Sequence, residues 1–131
     1  MYEGEIFLII KMLEVLQFVH QTIIGRQKRS LKIKKLKDLI FFVFSDDINW
    51  CKKKLGFNGD NVIFVSQDMP VYETLRLMYN CKHFILSNST FSWWGQFLST
   101  SKNKLVVSPS RWNNDGYQSQ LIQKDWILIN C

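Results

Sequence analysis

The stretch Phe84-Ile85-Leu86-Ser87-Asn88-Ser89-Thr90-Phe91-Ser92-Trp93-Trp94-Gly95 decides how the chain is read. A short apolar run, fit for a buried strand, passes into small polar residues and then into an aromatic segment of helical character. Strand, polar turn and helix together make the building unit of a parallel sheet. Ser89 or Thr90 is a good N-cap, because either side-chain oxygen can accept a hydrogen bond from an early helix N–H. Capping in front of a packed aromatic helix would by itself account for the segment. A second use stays open: a helix N-terminus with free N–H groups and neighbouring hydroxyls suits a phosphate. Asn88-Ser89-Thr90 also spells a glycosylation sequon, which is read as coincidence in a core turn.

Outward from this unit the same alternation continues. Leu39–Phe44 is a continuous apolar run, followed by a short helix over Ile48–Leu55 that Gly56 stops. Val62–Val65 is a second run, and Pro70 opens a helix over Val71–Asn80. Phe84–Leu86 precedes a helix over Thr90–Leu98, and Leu105–Val107 and Trp126–Ile129 are two more runs. Short apolar runs between helices predict an α/β fold, a Rossmann-like parallel sheet with helices on both faces and right-handed crossovers.

In such sheets ligands bind beyond the carboxyl ends of the strands. Three segments fall there: Ser45-Asp46-Asp47, Ser87-Asn88-Ser89-Thr90 and Ser108-Pro109-Ser110-Arg111-Trp112. Asp46 and Asp47 can cap the helix that follows, or accept hydrogen bonds from ribose hydroxyls or a guanine edge. A magnesium site would need a third ligand, and none is evident. Trp93 and Trp94 stand about 100° apart on a helix, so at least one faces the sheet. Phe91 and Trp112 are candidate stacking platforms or core residues, and Arg111 is a candidate phosphate partner by position. His83 has no acid or nucleophile beside it in sequence and reads as structural. GxSxG, Walker, GxGxxG and HExxH motifs are absent.

The 131 residues are 47% hydrophobic and 21% charged, which excludes a disordered chain and gives room for one domain's core. The net charge of +6 is local. Arg26, Lys28, Arg29, Lys32, Lys34, Lys35 and Lys37 crowd one run, and the remaining sequence is nearly neutral, so a general nucleic-acid face is not supported. Cys51, Cys81 and Cys131, with His20 and His83, have no zinc-ligand spacing and read as buried thiols in a reducing compartment. Ile6–Ile24 is apolar except for Lys11, Glu14, Gln17 and Gln21, which recur like one polar stripe of a helix. These charges argue against a signal peptide or membrane span.

Three segments also carry a resemblance. Phe44-Ser45-Asp46-Asp47-Ile48-Asn49-Trp50-Cys51, Met78 through Gly95, and Ser108-Pro109-Ser110-Arg111-Trp112 resemble, in order and spacing, the carboxyl-terminal half of the glycosyltransferase family 11 α-1,2-fucosyltransferases. The likeness runs from Leu36 to Ile129. It implies the carboxyl-terminal, donor-binding domain of a GT-B enzyme. That enzyme moves fucose from GDP-fucose to the 2-hydroxyl of a terminal galactose, with inversion and without a metal or other cofactor. Carried over, Asp46 and Asp47 match the acidic motif beside the nucleotide, and Asn88, Ser89, Thr90, Phe91 and Ser92 match the donor-binding turn. Trp93, Arg111 and Trp112 are candidates for the donor pocket or the core. No catalytic residue is identified.

The family's amino-terminal HxRRxDY motif, which brings arginines to the donor diphosphate, has no counterpart here. The expected organisation is an apolar helix and basic connector over residues 1–35, then a Rossmann-like GDP-sugar-binding domain over residues 36–131. Such a fragment is expected to be inactive alone. The alternative is a nucleotide-binding or interaction module whose helix and basic run dock a separate amino-terminal half or an anionic membrane surface. Expected partners are GDP-fucose and a galactose-terminated glycan, with no nucleic acid. The expected location is the cytoplasm, with the inner membrane face as the site of any peripheral contact.

Overall fold

The computed structural model describes residues 5–10, 39–55, 62–112 and 119–129. Six strands form one sheet: β1 (Glu5–Ile10), β2 (Leu39–Phe44), β3 (Val62–Phe64), β4 (His83–Ile85), β5 (Val106–Pro109) and β6 (Ile127–Ile129). Three helices are described, α1 (Ile48–Leu55), α2 (Val71–Tyr79) and α3 (Thr90–Leu98). The spatial order is β3-β2-β1-β4-β5-β6, and each neighbouring pair is parallel. This is the strand order of the doubly wound Rossmann sheet, reversing direction between β1 and β4. Right-handed crossovers place α1 on one face and α2 with α3 on the other. In agreement, α2 and α3 pack directly on each other.

The structure corrects the sequence reading at the amino terminus. Residues 5–10 form a strand, where a helix from Ile6 was expected. β1 sits inside the sheet, with Phe7 opposite Phe41 on one side and His83 on the other. The reason lies in the ambiguity of a short apolar run. A strand covered on both faces shows no alternation, so Ile6–Ile10 carries the same pattern as the start of a buried helix. The sheet thus draws a strand from ahead of the expected boundary at residue 35. The remainder of the expected helix and the basic run lie outside the described residues.

The core explains why the other runs are strands. Phe41, Val43 and Phe44 of β2, Phe84 and Ile85 of β4, and Val106 and Val107 of β5 are all buried. All three residues of β4 are buried, as a strand covered on both faces requires. His83 is the polar member. Its Nδ1 accepts the Leu105 N–H at 2.9 Å and so ties β4 to the approach of β5. Met78 of α2, Trp112 after β5 and Trp126 just before β6 pack in one cluster with Phe44, Phe84 and Val106. Gly95 lets α3 approach α2, because a Cβ there would stand 3.1 Å from the Met78 Cβ. Trp93 faces inward, stacks on Phe97 at 4.8 Å and donates its Nε1–H to the Leu121 carbonyl at 2.9 Å. No described helix is long and apolar enough to cross a membrane.

Candidate functional site

A two-lobed cleft opens beyond the carboxyl ends of β2 and β4, on either side of β1, where the strand order reverses. The wider lobe, about 410 Å³, is lined by Phe44, Ser45 and Asp46 after β2, Thr74 and Met78 of α2, and Ser87, Ser89 and Phe91 after β4. The narrower lobe, about 300 Å³, shares Phe44, Ser45, Asp46, Thr74 and Phe91 and adds Val65, Ser66, Gln67, Met69 and Val71. Both volumes lie in the range of small-molecule sites, and the position is the one at which open α/β sheets bind ligands.

The β2–α1 loop is held by its own polar groups. The Asp47 N–H donates to Ser45 Oγ at 3.0 Å, and Asp47 Oδ1 accepts the Trp50 N–H at 3.0 Å. Asp47 is therefore the N-cap of α1, and the Cys51 N–H donates to its carbonyl at 3.2 Å. Gln67 clamps the loop from the β3 side. Its Nε2 donates to the Asp46 carbonyl, and its Oε1 accepts the Ile48 N–H at 3.4 Å. The exposed Asp46 lines both lobes on this fixed loop.

The β4–α3 turn is built the same way. Ser89 is the N-cap: its Oγ accepts the Ser92 N–H at 3.5 Å, and the Trp93 N–H donates to its carbonyl at 3.1 Å. Ser92 is fully buried, and its hydroxyl donates back to the carbonyls of Ser89 at 2.8 Å and Ser87 at 3.1 Å. Asn88 Nδ2 donates to the Trp112 carbonyl at 3.4 Å, joining this turn to the segment after β5. Ser87 differs from the rest. It is only 4% exposed, it lines the wider lobe, and its hydroxyl has no hydrogen-bond partner among the described residues. A buried hydroxyl without a partner costs free energy unless something in the cleft satisfies it.

Of the residues singled out from sequence, Asp46, Ser89 and Phe91 meet at the cleft. Asp47, Asn88 and Ser92 shape the two loops without lining either lobe, and Thr90 is exposed beside them. Trp112 belongs to the core, with its Nε1–H donated to Ser108 Oγ at 2.8 Å. Trp93 packs against that core, and the exposed Arg111 lines neither lobe. Sequence reasoning placed Ser87 in a candidate ligand segment without giving it a role, and did not single out Thr74, Met78, Ser66 or Gln67 as site residues. The i, i+4 spacing of Thr74 and Met78 puts both on one face of α2, which was a usable signal. Gln67 carries none, because its partners are about twenty residues away. No cluster of three or more metal-ligating side chains occurs among the described residues.

The family model for glycosyl transferase family 11 matches residues 28–130. This chain belongs to glycosyltransferase family 11. Similar members include the O-antigen biosynthesis glycosyltransferase WbnK of Escherichia coli, 38% identical over 92 residues, which are 69% of this chain and 30% of that protein. The α-1,2-colitosyltransferase of Escherichia coli is 38% identical over 81 residues, 60% of this chain and 28% of that protein. The chain thus spans under a third of the length of these relatives. No solved structure is a significant match.

Proposed function

We propose that this family 11 chain is the donor-binding part of a GT-B glycosyltransferase, and that its cleft holds the GDP moiety of a GDP-6-deoxyhexose, GDP-fucose first. The observation that carries the reading is the buried Ser87 hydroxyl, which has no hydrogen-bond partner among the described residues and lines the wider lobe beside the N-terminus of α3. Hydroxyls and helix N–H groups together suit a diphosphate, the group on which negative charge grows as the glycosidic bond breaks.

In the proposed reaction the 2-hydroxyl oxygen of a terminal galactose attacks the anomeric carbon. The bond from that carbon to the diphosphate oxygen breaks, and GDP leaves with the electron pair. A base on the acceptor side takes the hydroxyl proton, and the configuration inverts. No metal takes part. Ser87, Ser89 and the first N–H groups of α3 stabilise the leaving diphosphate, and Asp46 fixes the nucleoside. The relative named for α-1,2-colitosyl transfer supports a donor site that is not restricted to a fucosyl group. Arginines to the diphosphate and the acceptor contacts come from an amino-terminal half, so the chain alone binds the donor and does not turn it over.

Isothermal calorimetry with GDP tests this. Saturable binding by the folded chain, weakened by Ser87→Ala and by Asp46→Asn, is expected, with no transfer from GDP-fucose to lactose until the amino-terminal half is added. A well-folded chain that binds no GDP refutes the proposal.

A further inference from the structure

We propose that the outer face of α3 is a membrane-contact surface: Trp94, Phe97 and Leu98 enter the interface of an anionic lipid bilayer, and the lysines at the end of the helix meet its headgroups. The proposal is independent of the donor-binding reading. It starts from composition, because α3 (Thr90–Leu98) holds no charged side chain. A helix at the surface of a domain ordinarily turns a charged or polar face to water, and one that is apolar on its outer side is covered there. The inner side of α3 is accounted for. Ser92, Gly95 and Gln96 are buried, Gly95 lies against Met78, and Trp93 packs on the core. The outer side is bare: Trp94 is 49% exposed, Phe97 57% and Leu98 42%. Their i, i+3 and i+4 spacing gathers them into one stripe, and Trp94 meets Phe97 edge-on at 5.6 Å. Contiguous exposed apolar surface of this kind marks a contact site.

The stripe ends in positive charge. Lys104 Nζ donates to the Gln96 carbonyl in the last turn of α3. The exposed Lys102 stands in the turn that follows. The exposed Lys82 follows Cys81, whose carbonyl accepts the hydroxyl of Ser99, the C-cap of α3, at 3.3 Å. Asp125 acts on Lys104 and offsets part of this charge. Aromatic and leucine side chains bordered by lysines fit the interface of an anionic bilayer, with rings at headgroup level and ammonium groups on lipid phosphates. A second copy of the chain fits less well. It would bring lysines of the same sign to the contact. Three half-exposed side chains also offer roughly 300 Å², well short of the about 800 Å² per partner that a stable interface buries. The contact leaves the cleft open, because Phe97 and Leu98 end α3 while the cleft borders its Ser89 cap.

Co-sedimentation of the chain with vesicles tests this, using phosphatidylcholine alone and phosphatidylcholine mixed with phosphatidylglycerol. Wild type is expected to bind the mixed vesicles about tenfold more tightly than the neutral ones. Phe97→Gln combined with Leu98→Gln should weaken that binding about tenfold. Lys82→Glu combined with Lys102→Glu should abolish the preference for anionic lipid. All four side chains are exposed, so urea midpoints close to wild type are expected. On the unmodified chain, lipids brominated in the upper acyl chain should quench tryptophan fluorescence, and Trp94→Phe should remove most of the quenching without releasing the chain. Binding that survives the loss of Phe97 and Leu98 belongs to the basic run Arg26–Lys37 and overturns the proposal. Absence of binding to either vesicle, equal binding to both, or bound chain whose tryptophans the brominated lipid does not quench overturns it as well. So does a wild-type dimer in sedimentation equilibrium that Phe97→Gln with Leu98→Gln dissolves, which would assign the stripe to a second copy.

Discussion

Gly95→Ala sets two effects of opposite sign against each other, and the structure decides between them. Alanine in place of glycine inside a helix is favourable by about 1 kcal/mol. At Gly95 the added Cβ would stand 3.1 Å from the Met78 Cβ, 3.3 Å from its Sδ and 3.7 Å from its Cγ. The sulfur can turn away. The Met78 Cβ cannot, since it is one bond from the α2 backbone, and Met78 is 2% exposed within the core. Relief therefore requires α2 and α3 to separate by a few tenths of an ångström, which disturbs close packing along their whole contact. Overpacking of this kind costs about 1–3 kcal/mol. The net expectation is a loss of about 1 kcal/mol, the reverse of the gain at an exposed helical glycine, and a fall in melting temperature of about 4 °C for a chain of this size. Urea unfolding followed by far-ultraviolet circular dichroism measures it. The midpoint should fall with the m-value unchanged. A Gly95→Ala chain more stable than wild type would refute the reasoning, because it would show that the helix pair has slack that the 3.1 Å approach denies.

Three further expectations concern single groups. Ser89→Ala removes the α3 cap and should cost about 1 kcal/mol in urea unfolding, whereas Ser89→Asp keeps a good cap but sets a carboxylate against the diphosphate. Stability close to wild type with GDP affinity lost is the expected outcome for Ser89→Asp, and retained affinity would deny the diphosphate its place. Burial pushes the Cys81 thiol from 9.0 up to about 12. Below pH 9 it is neutral in both states. Above that the unfolded chain ionises first, so this contribution to stability is lost as pH rises from about 9 toward 12, and iodoacetamide at pH 8 should label Cys81 only under unfolding conditions. His83→Phe takes the acceptor from the Leu105 N–H and should cost about 1–3 kcal/mol while leaving GDP affinity unchanged, since His83 lines neither lobe.

Elements were legible where two independent signals agreed. The helix over Thr90–Leu98 was read to the residue, because a polar cap, an aromatic periodic segment and a preceding apolar run all pointed the same way. Leu39–Phe44 and Ile48–Leu55 came out equally well, with Asp47 supplying the boundary between them. Ile6–Ile10 failed because pattern was the only signal, and five apolar residues fit either period. That a ligand site lies beyond the carboxyl ends of the strands was legible from the parallel sheet, but not which segments meet there: those after β2 and β4 line the cleft and Ser108–Trp112 does not. The individual walls of the cleft were not legible either. Ser87 fell inside a candidate segment, yet a buried serine whose hydroxyl has no partner among the described residues looks in sequence like any strand-end serine. Gln67 acts across the sheet, and no local pattern records such a contact.

The motif residues divide into those that hold the loops and those that face the ligand, and the division gives the motif a physical meaning. Asp47, Asn88 and Ser92 spend their side chains on the Trp50 N–H, the Trp112 carbonyl and the carbonyls of Ser87 and Ser89. Asp46, Ser87 and Phe91 line the cleft on the loops so fixed. A ligand-facing group can only be as well placed as the loop beneath it, and a misplacement of about 1 Å is enough to lose much of its effect. Residues that never touch a ligand are therefore as constrained in chemical type as those that do. Asn88 shows this most directly, because its amide joins the α3 turn to the segment after β5. Asn88→Asp exchanges that donor for an acceptor facing the Trp112 carbonyl, and it acts on the cleft through the turn alone.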